Sequence, residues 1–209
     1  ETLPQLALAA RQAAAALGVA VPKTEEVRTY IGNGVDMLLA RVLAGRREVS
    51  LDEVDGELHQ RLKERYNVFY REGLKCNFTV YPGVKAALEF LRARGLKLAV
   101  ATNKPQSFAE PLLAYMGIAE EFDFILGGGV LTVRKPDPKP LEYVATKLQV
   151  PVAACAMVGD SANDLLAANR AGMLAVLRHG GYCAGGLCGA RVDAEFDDYA
   201  ELPCVLGLS

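Results

Sequence analysis

Two aspartates four residues apart, Asp160 and Asp164, stand where an apolar run meets a helical pattern (residues 156–172, AMVGDSANDLLAANRAG). Gly159 lets the chain turn, and Ser161 suits the N-cap of the helix that follows. Gly172 suits its end. Ligands of parallel α/β sheets sit outside the carboxyl ends of strands. A carboxylate there suits a hard cation such as Mg²⁺, which takes one or two carboxylates and keeps water for a phosphate. The alternative is an acidic first turn that favours the helix dipole. Two more polar clusters follow apolar runs: Thr102-Asn103-Lys104 after residues 96–101, and Arg134-Lys135-Pro136-Asp137 after residues 122–126. Hydroxyl, amide, ammonium and carboxylate together match the needs of phosphoryl transfer, which are positioning and charge neutralisation. Singly, Thr102 reads as a strand-end hydrogen bonder and Lys135 as a solvated lysine.

The elements that would position these groups alternate. Residues 96–101, 122–126, 150–158 and 173–177 read as strands. Residues 84–94, 107–115, 138–148 and 162–171 read as helices between or beside them. That alternation is the pattern of a parallel sheet wrapped by helices. The 96–101 and 152–158 runs are apolar without period two, so both are expected in the sheet interior with neighbours on each side.

The chain before Cys76 reads differently. Residues 1–17 form an Ala-rich helix, with Thr2 and Gln5 as a capping box. A short helix opens at Thr24. After Gly32-Asn33-Gly34, Val35, Leu38, Leu39 and Val42 mark one face of a third helix. Ser50 and Glu53 would cap a long helix whose apolar face is Leu51, Val54, Leu58, Leu62, Tyr66, Phe69 and Tyr70. No strand pattern occurs there. The fold class expected is α/β, a Rossmann-like parallel sheet core with an N-terminal or inserted helical domain. The helical domain spans residues 4–75 and the α/β core residues 76–209, with residues 1–3 as a linker.

Of the 209 residues, 51% are hydrophobic and 23% charged, which suits a globular protein with a real core. A net charge of −2 offers no attraction to nucleic acid or to an anionic membrane. No apolar run is long enough to span a bilayer. Five cysteines without a CxxC pair suit free thiols in a reducing compartment, so a cytoplasmic location is expected. Cys183 and Cys188 near His179 match no structural zinc spacing. Small-molecule chemistry in a monomer or homodimer is the expectation, with neither nucleic acid nor membrane as partner.

The motifs ATNKP, RKPDPKP and VGDSAND resemble the second, third and fourth motifs of the haloacid dehalogenase superfamily. Within it, LPQLALAA, YIGNGVDMLLARVL, KPDPKPL and GDSANDLLAANRAG are similar to the branch that hydrolyses 2-phosphoglycolate. The likeness runs from Glu1 to about Tyr182. It implies Mg²⁺-dependent hydrolysis of a small phosphate monoester through an aspartyl-phosphate. It also implies roles: Thr102, Asn103 and Lys135 bind phosphate, Lys135 and Asp164 serve catalysis, and Asp160 holds the metal. Ser161 supports the metal, the helical domain is a cap, and Asn33 faces substrate.

The superfamily's first motif, which carries the nucleophilic aspartate on a central strand, does not occur in the chain. It is expected immediately upstream of Glu1, and a gap in the sheet is expected beside the strands ending at Asn103 and Asp160. Without that motif the chain is expected to be inactive and poorly folded. The rival readings are a sugar-phosphate mutase or another phosphatase of the superfamily, and a non-catalytic binding protein.

Overall fold

The structure is a computed structural model, and it describes residues 1–182 and 186–208. Cys183, considered above as a thiol, lies outside the described residues. The chain divides into two units, Glu1–Thr79 and Val80–Ser209.

The first unit is helical: α1 (Leu3–Ala16), α2 (Thr24–Tyr30), α3 (Val35–Ala44) and α4 (Gly56–Glu72). Helix α1 packs on α4 and α2, and its Ala7, Ala9, Ala10, Ala13 and Ala14 are all buried. Small residues let helix axes approach closely. On α4 the buried stripe is Leu62, Tyr66 and Tyr70, one residue per turn. The Tyr66 and Tyr70 rings stack at 5.5 Å.

Two expected caps form differently. Gln5 is buried, and its Nε2 donates to Leu74 O at 3.1 Å and Cys76 O at 2.7 Å. Its Oε1 accepts from the Tyr70 hydroxyl at 3.3 Å. It therefore satisfies carbonyls just past α4 rather than the start of its own helix. Ser50 and Glu53 close only a short 3-10 turn. The long helix is capped by Asp55, which accepts from Leu58 N at 2.7 Å. The two ends of this unit meet: Glu1 N donates to Thr79 O at 2.6 Å, and Thr79 N donates to Glu1 O at 3.0 Å.

The second unit runs α5 (Val84–Ala93), β1 (Ala99–Pro105), α6 (Gln106–Tyr115), β2 (Phe124–Gly128), α7 (Lys139–Leu148) and β3 (Ala156–Gly159). It continues α8 (Ala162–Ala171), β4 (Leu174–Arg178), β5 (Ala194–Phe196) and α9 (Leu202–Val205). Every ladder is parallel. β1 pairs with β2, and β3, β4 and β5 pair in that order. Among the described residues no ladder joins β1 to β3, so the expected gap is present between those strands.

Strand limits follow the ladder partners. β1 starts at Ala99, where Phe124 becomes its partner, and runs on through Thr102, Asn103 and Lys104. Its polar residues are thus the last part of the strand, not a loop after it. Residues 152–154 form a 3-10 turn, and β3 is only as long as its pairing with residues 174–177 of β4. β1 is half-buried throughout, and β3 is half-buried beyond its exposed first residue, rather than fully enclosed. The short strand β5 has no sequence signature, since three residues cannot show a period. Two apolar clusters hold the unit. One gathers Leu141, Leu165, Ala168 and Ala175; the other gathers Leu91, Val176, Phe196 and Leu202.

Candidate active site

Lys135 lies in the connection from β2 to α7, and Asn103 near the end of β1 holds its main chain. Lys135 N donates to Asn103 Oδ1 at 3.0 Å, and Asn103 Nδ2 donates to Lys135 O at 2.9 Å. This two-point contact fixes where the lysine starts. Its side chain is buried, at 6% exposure. Nζ donates to Ala101 O at 2.5 Å and to Asp164 Oδ1 at 2.6 Å. Ala101 belongs to the β1–β2 pair and Asp164 to the helix that follows β3, so one ammonium ties together the two halves of the sheet.

The other oxygen of Asp164 organises the first turn of α8. Oδ2 accepts from the Ser161 hydroxyl at 2.7 Å, Ser161 N at 3.1 Å and Asp160 N at 3.2 Å. The amides are ones a helix start leaves without intrahelical partners. Burial pushes the Asp164 carboxyl up. The Lys135 ammonium, the Ser161 hydroxyl and the Asp160 amide outweigh it and hold the group below the usual carboxylate range.

Asp160 sits at the joint between β3 and α8 with little room behind it. A methyl group on Gly181 would come 2.2 Å from Asp160 Cβ, and one on Gly159 would come 2.2 Å from Asp164 Cβ. Such distances admit only hydrogen, so both glycines are there for close approach. Tyr182 N donates to Asp160 O at 3.1 Å and fixes the same joint from the far side.

Thr102 and Lys135 open onto one recess, together with Asn103, Gly127, Gly128 and Arg134. The Thr102 hydroxyl oxygen accepts from Lys104 N at 3.1 Å, which leaves its proton to donate elsewhere. Burial pushes the Lys104 ammonium down to about 8. The Gly127 amide donates to Gln106 Oε1, so α6 and β2 are stitched beside the recess.

Asn33 lies in the helical unit and is exposed. Its Oδ1 accepts from Arg41 Nη2 at 2.9 Å. Arg41 is buried and also donates to Tyr30 O at 2.6 Å and Arg47 O at 2.9 Å. This knot has no legible sequence signal, because an arginine on an apolar helix face reads as a surface residue. Arg178 is also missed by sequence reasoning. It ends β4 directly after Leu177, the register partner of Gly159, and so stands beside Asp160.

Among the described residues no three His, Cys, Asp or Glu side chains cluster in a way that could hold a metal ion. Asp164 is engaged by Lys135, so the site offers Asp160 as its carboxylate. A closed zinc site needs four protein ligands, and these residues do not fit it. They fit an ion that takes one or two carboxylates and keeps its water.

A parallel α/β fold with cation, hydroxyl and carboxylates gathered at the carboxyl ends of its strands defines an enzyme of the open-sheet α/β class. Comparison narrows this. The model of the haloacid dehalogenase-like hydrolases matches residues 1–172, and the chain belongs to that family. It is 39% identical over 207 residues to a phosphoglycolate phosphatase of Pasteurella multocida, covering 98% of this chain and 92% of the relative. It is 37% identical over 210 residues to a phosphoglycolate phosphatase of Vibrio parahaemolyticus, covering 100% and 92%. A crystal structure described as a predicted phosphoglycolate phosphatase from Haemophilus somnus is similar, with TM-score 0.88 and 33% identity over 98% of this chain and 92% of that one. No helix among the described residues is long and apolar enough to cross a membrane.

Proposed function

We propose that the protein is a phosphoric monoester hydrolase acting on a small phosphate ester, and that the ester is 2-phosphoglycolate. The observation that carries this reading is the Lys135–Asp164 pair, set by Asn103 beside Thr102 at the carboxyl ends of the strands. The names of the relatives support the choice of ester.

In this reading the Thr102 hydroxyl donates to a phosphoryl oxygen. The Asn103 side chain is engaged with Lys135, so its share of phosphate binding falls to the main-chain N–H. Lys135 neutralises charge on the phosphate as it is transferred. Asp164 is a positioning residue: it aims the ammonium through its Oδ1. Asp160 would hold Mg²⁺, with Ser161 beside it in support. When bound, that ion supplies charge neutralisation at the phosphate. In this reading the attacking carboxylate is carried on a strand between β1 and β3, which do not pair with each other among the described residues. Residues 4–75 act as a cap that excludes water, with Asn33 facing the substrate. A cytoplasmic enzyme acting on a dissolved metabolite, as a monomer or homodimer, fits these roles.

The test is phosphate release from a panel of esters with and without Mg²⁺. The highest kcat/KM is expected for 2-phosphoglycolate, with activity lost on chelation. A preference for sugar phosphates, or phosphate transfer within a sugar instead of release, overturns the reading.

A further inference from the structure

We propose that Arg178 is a specificity residue that receives the carboxylate of the substrate while the phosphate is held near Lys135 and Asp160. The proposal rests on the 2-phosphoglycolate reading and adds to it the group that would recognise the non-reacting end.

The first observation is an unanswered cation. Arg178 is half-buried, and its Nε is enclosed without a hydrogen-bond partner among the described residues. A buried donor on a charged group left without an acceptor is costly, so such a group calls for an anion.

The second is how the group is held. Its Cζ lies 3.8 Å from the centre of the Tyr81 ring. Tyr81 in turn stacks on Tyr199 at 6.3 Å, and Tyr199 packs edge-on to Phe196 of β5 at 5.2 Å. A guanidinium lying on a ring keeps its in-plane N–H edge for a ligand, and that edge matches a carboxylate with two parallel hydrogen bonds. A methyl group on Gly180 would come 3.3 Å from Arg178 Nη1, so the glycine leaves the fork uncrowded.

The third is place. Gly159 of β3 pairs with Leu177 of β4, so the next residues, Asp160 and Arg178, are neighbours about one strand spacing apart, ~4.8 Å. Both stand at the carboxyl ends of their strands, the end at which Thr102 lies on β1. An ester whose phosphate lies by Asp160 and whose carboxylate is a few bonds away spans that interval. A neutral ester of the same size would leave Arg178 unanswered.

The test uses the full-length protein with 2-phosphoglycolate and with ethyl phosphate, a neutral-tailed ester. In Arg178→Gln the KM for 2-phosphoglycolate is expected to rise about ten- to a hundred-fold, the scale of losing charge-assisted hydrogen bonds. The KM for ethyl phosphate and the Mg²⁺ requirement are expected to stay within about two-fold of the unmodified protein. Arg178→Lys keeps the charge but not the planar fork, so it is expected to give an intermediate loss with the fold intact. Equal losses on both esters, or no loss on either in both variants, overturn the assignment of Arg178 and leave the substrate reading standing. A protein that turns over ethyl phosphate but no carboxylate-bearing ester overturns both.

Discussion

Lys135 and Asp164 are 29 residues apart in the chain and 2.6 Å apart in space, both nearly excluded from solvent. Neither charge is sustainable there alone. Removing one partner of a buried ion pair typically costs ~3–5 kcal/mol, because the other is left uncompensated. Lys135→Met is therefore expected to lower unfolding free energy by about that amount in urea titration and to abolish turnover. Full activity in a stably folded Lys135→Met protein would remove the lysine from the reaction.

The pair also sets an acid limit. The folded-state pKa of Asp164 is depressed, so its contribution is present above the unfolded carboxylate value, about 4, and is lost as pH falls through the lower folded value. The melting temperature is expected to drop as pH falls below about 4, and the drop to be shallower in Asp164→Asn. Parallel acid profiles for the two proteins would show that other carboxylates set the limit.

Lys104 acts in the same direction on the alkaline side, where stability again rises with pH. Burial lowers its ammonium to about 8, so between that value and the ordinary lysine range the unfolded chain binds more protons than the folded one. Its contribution to stability should grow as pH rises through that window. Urea midpoints compared at about pH 7.5 and about pH 9.5 should rise in the parent and not in Lys104→Met.

Gly181 permits the Asp160 joint. With a Cβ at 2.2 Å from that of Asp160, Gly181→Ala must push the aspartate aside. Residues that orient a metal ligand typically matter about ten- to a hundred-fold in affinity. The Mg²⁺ concentration for half-maximal activity is expected to rise about ten-fold, with thermal stability changed far less. An unchanged Mg²⁺ dependence would separate Asp160 from the metal.

Gln5 provides a control in the helical unit, outside the unit that carries Lys135 and Asp164. It satisfies carbonyls at Leu74 and Cys76 from within the helical unit. Gln5→Leu buries those acceptors without partners, for a loss of ~1–3 kcal/mol. Calorimetry of the variant should show the loss, and phosphate affinity should not change.

The alternation of strand and helix after Cys76 is legible because apolar runs bounded by glycine and proline are local signals. The strand limits are not. Ala99 begins β1 because Phe124 faces it, and the Val152 run is a turn because its hydrogen bonds do not extend a ladder. A partner distant in sequence leaves no mark on the residues it pairs with. The resemblance sets Lys135 and Asp164 in one site. It offers no account of Asn103 gripping the lysine backbone, or of Arg41 gripping Asn33. Gln5 shows the converse. Its ordinary local use is a helix cap, yet its amide is taken up by the Cys76 carbonyl, 71 positions further along the chain.

The exchange of backbone bonds between Glu1 and Thr79 makes the helical unit a closed loop. Whatever its internal length, its two ends stay side by side. Lengthening a closed loop costs little, ~0.6 kcal/mol for each doubling. Helices within it can lengthen, shorten or change partners, and neither chain end shifts relative to the other. Evolution can thus remodel the surface of this unit without having to renegotiate where the chain goes next.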